Sequence, residues 1–416
     1  MQTARRLRFQ RLSRRSWAAV LSVFLVAGAL VAACSLYNNL DLARGPNEYN
    51  IAEWELRHFP EKWLFLLGQT FRGEPSDELQ DQTLRRFFSL TRQIDDLERR
   101  LSDAEQRGLA PSEGDLAQLD ALQSERAGIE NQAEATLEAR LTRTAADAGL
   151  TRSFLNVVWP PIDTEFTQSP YTLVTSRRDR IELLDSSLLR DGLMLDDIEA
   201  IEAKAEADGE VSALAFPTGG IGAYPTIVDH PGDYERALQI VAHEWTHNFL
   251  FFYPLGFHYY SNNDLRTINE TVADLVGNEL ARAVIARWPL DATAPAATPT
   301  PSSNNAPGFD IGAALRALRT DVDALLAQGH VEEAEALMEQ RRQDFAAQGY
   351  YFRKLNQAYF AFTNLYAGEA GDPSATNPIG PKVDELRRRS ASLDEFIERI
   401  SGVTSVADLD RQLEQP

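Results

Sequence analysis

The chain has 416 residues with 44% apolar side chains, enough to bury one large core or two to three smaller ones and too apolar for a disordered polymer. Its net charge is −21, and the six arginines before Cys34 conceal a body with 35 basic and 62 acidic residues, or −27. A body that acidic repels phosphate backbones, which excludes nucleic acid as an expected partner, and a single cysteine excludes an intrachain disulfide.

The N-terminus reads as an export signal: a basic head, "MQTARRLRFQRLSRRSW", then a charge-free apolar run at 17–33 that ends in "VAAC". Val31-Ala32-Ala33-Cys34 resembles the bacterial lipobox, whose cysteine is lipidated and becomes the new N-terminus. An uncleaved membrane anchor is the alternative, since a run of about 17 residues is near the lower limit for a span. Either anchor leaves the arginines inside and places the body in the cell envelope, membrane-held and extracytoplasmic.

Residues 35–74 form an aromatic, membrane-proximal segment. Over 75–150, Leu90, Ile94, Leu97, Leu101 and Ala104 recur at heptad spacing, and Leu119, Leu122, Ile129, Ala133 and Leu137 continue a second stripe after "RGLAPSEGD". This predicts a coiled-coil-like helical hairpin, open to a protein partner. The segment 151–288 mixes short β-rich stretches ("FLNVVWPP", "YTLVTSR", "IELLD", "SALAFP") with helices. Residues 289–310 read as a disordered linker and 311–416 as a helical C-terminal domain. The expected class is α+β, rich in helix.

The chemistry sits in "IVAHEWTHNFLFFYP", residues 240–254. Asp233 can cap this helix, and Leu238, Val241, Trp245, Phe249 and Phe252 give it one apolar face. His243 and His247 lie one turn apart on the same side, a spacing that lets two imidazoles share one Zn²⁺. Glu244 stands beside the first, off the metal but near a water upon it. A zinc hydrolase needs a third protein ligand and an open position. A second amphipathic helix, "RTINETVADLVGNELARAVI", carries Asn269-Glu270-Thr271-Val272-Ala273-Asp274.

H-E-x-x-H followed about twenty residues later by N-E-x-x-[AS]-D resembles the gluzincin metallopeptidases, the thermolysin-like superfamily. The resemblance covers about residues 210–285. It implies a zincin-like core of a small sheet and two ligand-bearing helices. It also implies one Zn²⁺ on His243, His247 and Glu270, with Glu244 as general base. Asp274 then orients His243, and Asn269 is secondary. A tyrosine of "GFHYYSNND", Tyr260 or Tyr259, is expected to stabilise the oxyanion. Gly222, Ala223 and Tyr224, in "GGIGAYPTIV", would belong to a substrate-binding edge strand. Arg353, Asn356 and Tyr359 are expected to bring polar groups to the cleft from the C-terminal region.

The function implied is hydrolysis of a peptide or protein substrate by zinc-activated water. The same residues would serve a zinc hydrolase of a non-peptide bond. A catalytically inactive zincin-fold envelope scaffold is the alternative from another class, and an intact Glu244 argues against it.

Overall fold

A computed structural model describes residues 45–57, 75–106, 110–151, 157–290, 309–366 and 377–415. The expected export signal with Cys34, the remainder of the 35–74 segment and nearly all of the linker at 289–310 lie outside the described residues. No described helix is long and apolar enough to cross a membrane.

The chain is helix-rich α+β with two small sheets. Helices α1 (Asp77–Gln106) and α2 (Glu113–Asp147) form the hairpin that the heptad spacing predicts. Leu90, Ile94 and Leu97 are buried along its seam. Its base does more than support a projection. Leu84, Phe87 and Phe88 of α1, with Leu137, Leu141 and Ala145 of α2, join the main hydrophobic core of the molecule.

One sheet has the order β1-β6-β5, from β1 (Thr164–Phe166), β6 (Thr226–Val228) and β5 (Gly220–Ile221), with β1 parallel and β5 antiparallel to β6. The backbone amides on the free side of β1 are taken by two carboxylates of α2. Glu138 accepts from the Thr164 N–H at 2.9 Å and Glu134 from the Phe166 N–H at 2.7 Å. The described part of "FLNVVWPP" (Val157–Pro161) contributes no strand to either sheet, so β1 begins further along than the composition suggests.

The other sheet is antiparallel, in the order β3-β2-β4: β2 (Tyr171–Arg177), β3 (Leu183–Leu189) and β4 (Val211–Pro217). Helix α3 (Leu195–Ala205) packs Ile198 and Ile201 on one face against Leu173, Leu189 and Ala213.

Three helices follow the sheets: α4 (Tyr234–Leu250), the single turn α5 (Pro254–Phe257) and α6 (Asn263–Arg287). Asp233 caps α4 as expected, accepting from the Arg236 N–H at 2.8 Å. Helices α7 (Ile311–Ala327), α8 (Val331–Ala347) and α9 (Gln357–Thr363) gather around a second cluster of Leu315, Val322, Met338, Phe345 and Phe360. Through Ala358, Ala361 and Leu365 this layer covers the other face of the antiparallel sheet. Helices α10 (Ile379–Arg389), α11 (Leu393–Ile400) and α12 (Val406–Glu414) instead bury Val383, Leu386, Phe396 and Ile400 in the main core with α6.

The cores therefore do not follow the boundaries drawn from the sequence. Of residues 311–416, the part up to 366 packs on the antiparallel sheet and 377–415 shares the main core with α6. The base of the 75–150 hairpin shares the main core as well. Composition gave no sign of this, because each helix is amphipathic whichever layer it meets.

Candidate metal centre

Helices α4 and α6 meet closely where their polar residues lie. Gly277 allows this approach: a Cβ there would stand 3.0 Å from the Gln239 carbonyl oxygen and 3.1 Å from the His243 backbone nitrogen. The close contact brings Asn269, Glu270 and Asp274 of α6 within reach of the two α4 histidines.

Each imidazole is held at its outer nitrogen. His243 Nδ1 lies 2.8 Å from Asp274 Oδ1, and His247 Nδ1 lies 2.8 Å from Asn269 Oδ1. A carboxylate or amide oxygen can only accept, so both Nδ1 atoms carry hydrogen, and in the neutral rings both Nε2 atoms present lone pairs. Those Nε2 atoms face each other at 3.1 Å. Glu270 Oε2 faces both, 3.3 Å from His243 Nε2 and 3.5 Å from His247 Nε2, and receives no hydrogen bond.

With neutral rings three lone-pair donors thus converge, an arrangement that repels itself unless a cation, a metal ion or a proton, lies among them. Their spacing suits Zn²⁺: ligands at about 2.0–2.1 Å on a tetrahedron stand about 3.3–3.4 Å apart. Without a metal, a proton must play the cation. Burial works against charge on His243, and the Asp274 and Glu270 carboxylates overcome it, pushing the imidazole well above its usual range. Burial likewise opposes charge on His247, and Glu270 raises it. Glu270 is held well below the carboxylate range, the imidazoles of His247 and His243 outweighing its burial.

Glu244 also brings an oxygen within 4.8 Å of ligand atoms on His243 and His247. Glu270 Oε2 also faces both histidines, at 3.3 and 3.5 Å, so either carboxylate lies within reach of an ion held by the two rings. The Glu244 side chain lies on the backbone of β5. A Cβ on Gly220 would stand 2.8 Å from both its Cγ and its Oε1. Burial raises its carboxyl, and the neighbouring imidazoles offset this only in part.

The remaining expected residues divide. Gly222 does lie at the centre, where a Cβ would come within 3.2 Å of His247 Cβ. The Ala223 carbonyl accepts from Asn248 Nδ2 at 2.9 Å, which fastens the loop to α4. Tyr224 turns away: burial raises its phenol, and the charges acting on it are Asp163 and Glu138, on the side of α2. Tyr260 is 81% exposed, its ring edge-on to Tyr259 and its side chain directed outward, so it does not join the group. Tyr259 does join it, but its hydroxyl is given to Glu270 Oε1.

Arg353, Asn356 and Tyr359 do not reach the cleft. Arg353 grips the buried Glu202 and the Ala215 carbonyl, Asn356 caps α9 and holds the Ala213 carbonyl, and Tyr359 packs against Phe352 and Phe360. Instead, the end of that region supplies a residue that sequence reasoning missed. Tyr366 stacks on His243 with ring centroids 6.4 Å apart. Burial raises its phenol, and the charges acting on it next are Glu270, Tyr259 and Glu244. Glu55 was missed as well. It is buried, accepts from the Tyr224 N–H at 3.1 Å, and is pushed up by burial to about 7. Neither residue lies in a motif, and no spacing in the sequence points to either.

No protein-family model, curated protein or solved structure matches this chain.

Proposed function

We propose that the chain is a membrane-anchored, extracytoplasmic zinc metallopeptidase built on a zincin-like core. One observation carries this reading: His243 Nε2, His247 Nε2 and Glu270 Oε2 converge at 3.1–3.5 Å, each imidazole being held at its other nitrogen.

His243, His247 and Glu270 would hold Zn²⁺, which when bound supplies a water of lowered pKa and a Lewis acid for a carbonyl oxygen. Glu244 takes the proton of the attacking water and returns it to the departing amine nitrogen. Asp274 and Asn269 keep the two imidazoles in the tautomer that ligation needs. With the Tyr259 proton committed to Glu270, the phenol left to donate to a developing oxyanion is Tyr366. Among the described residues β5 is paired on one side only, by β6, so its other edge is open to an extended peptide. That edge, which lies against Glu244, favours a peptide over a non-peptide substrate. The basic head, apolar run and Val31-Ala32-Ala33-Cys34 support export, with a lipid on Cys34 as the anchor.

The test is metal content of the purified protein lacking residues 1–34, beside Glu270→Ala. About one zinc per chain, lost in the variant, is the expected result on the three-ligand stoichiometry. A wild-type protein that takes up no zinc after reconstitution would leave two buried histidines and no enzyme.

A further inference from the structure

The Tyr259 hydroxyl has two neighbours besides the ring that carries it. It donates to Glu270 Oε1, and its oxygen accepts from Arg266 Nε–H at 3.1 Å. A guanidinium only donates. Arg266 therefore fills an acceptor position on the phenol oxygen and obliges the phenol hydrogen to point at Glu270. The same guanidinium lies over the Tyr259 ring, its carbon 5.3 Å from the centroid, and its Nη2 donates to Ser186 Oγ on β3 at 3.2 Å. Donation thus runs outward from Arg266, to Ser186 on the antiparallel sheet and through Tyr259 to Glu270.

We propose that Tyr259 and Arg266 are positioning residues that hold Glu270 as a one-oxygen ligand. This assignment rests on the metal site argued above. With Oε1 engaged by the phenol, only Oε2 is free to face the two Nε2 atoms. A carboxylate free to turn could offer both oxygens, fill the coordination position that water and substrate require, and close the site. The same donation also brings the positive charge of Arg266 to the far side of the Glu270 carboxylate. That draws electron density from Oε2 and keeps a metal held there a strong Lewis acid. The role is distinct from oxyanion stabilisation, because a hydroxyl hydrogen already given to Oε1 is not available to substrate.

The experiment is Tyr259→Phe in the full chain, read by zinc affinity in chelator competition and by the visible absorption of the Co²⁺-substituted protein. The phenylalanine keeps the ring and removes only the hydroxyl. Zinc affinity is expected to fall about tenfold or more, and the Co²⁺ bands to weaken as coordination rises above four. Arg266→Lys, which cannot fill the same fork geometry, is expected to shift both readouts in the same direction by less. Unchanged affinity and an unchanged Co²⁺ spectrum in Tyr259→Phe would overturn the assignment. So would a variant with wild-type metal properties that has lost turnover, since that is the signature of an oxyanion donor. A wild-type chain that binds neither metal overturns the metal site itself, a failure separable from the other two.

Discussion

Two helices of this protein carry the same device and use it for opposite ends. Helix α2 turns Glu134 and Glu138, one turn apart, into the interior, and helix α6 does the same with Glu270 and Asp274. On α2 each carboxylate finds a backbone N–H of β1 and completes an edge that the sheet leaves open. On α6 the carboxylates find imidazoles, and Glu270 keeps one oxygen with no hydrogen bond, aimed at the two Nε2 atoms. The first arrangement satisfies every group it engages. The second leaves Glu270 Oε2 and Asp274 Oδ2 without a hydrogen bond, the former facing both imidazoles. A buried acid is therefore no sign of chemistry by itself; what decides is whether its surroundings already complete it.

The sharpest break of this comparison is Glu244→Gln. Hydrolysis is expected to fall by about 10²–10⁴, the usual worth of a general base, with zinc content unchanged. Zinc lost along with activity would make Glu244 a ligand and displace Glu270 from that role.

A paired test sets the two helices against each other. Asp274→Asn removes a carboxylate from His243 Nδ1 and is expected to weaken zinc binding about 10–100-fold. The metal-free variant should keep the wild-type melting temperature. Glu138→Ala should do the reverse. It strands the N–H of the fully buried Thr164, at a cost of about 1–3 kcal/mol of stability in denaturant titration, with zinc affinity unaltered. Stability loss in both, or zinc loss in both, would erase the distinction.

Gly220→Ala acts on the base without touching a ligand. The new methyl would stand 2.8 Å from Glu244 Cγ and Oε1 and from Ile240 Cγ2, so the base is displaced at some cost in stability, and zinc content is expected to hold while turnover falls about tenfold. Normal turnover would mean that the position of Glu244 on β5 is incidental to catalysis.

The unequal legibility of the site in the sequence follows from the same contrast. His243 and His247 could be paired from spacing alone, because they lie one turn apart on one helix, whereas Glu270 and Asp274 came from the resemblance to the gluzincin motif, and the structure brings both against the imidazoles. The hairpin seam was readable from spacing as well. Tyr366 was not, because what places it is the packing of α9 on the antiparallel sheet, a contact far along the chain. Tyr260 and Tyr259 were indistinguishable by position, and one turn of backbone sends one outward and the other inward. The division of the C-terminal helices between two cores was equally hidden, since amphipathic periodicity reports that a helix buries a face and not against what.

The smallest expected effect lies where that hidden packing is held by charge. Glu335 of α8 accepts two hydrogen bonds from Arg178, at 2.7 Å each, and a third from Gln357 at 3.2 Å, joining the α7–α9 layer to the end of β2. The Arg178 hydrogen bonds hold its carboxyl below the ordinary glutamate range, which outweighs its partial burial. A depressed carboxyl stabilises the fold above its unfolded pKa and loses that contribution as the pH falls through its folded one. Glu335→Gln should therefore be less stable than wild type at neutral pH, with the gap narrowing below the ordinary glutamate range. Both partners are about one-third exposed (32% of each side chain), so solvent screening limits the gap to about 1 kcal/mol or less. Urea titrations of the two proteins at neutral and acid pH measure it. A gap that persists unchanged in acid would mean that shape and hydrogen bonding, rather than charge, join this layer to the sheet. Zinc affinity should be the same in both proteins throughout, because this contact, like the carboxylates of α2, is complete without a metal.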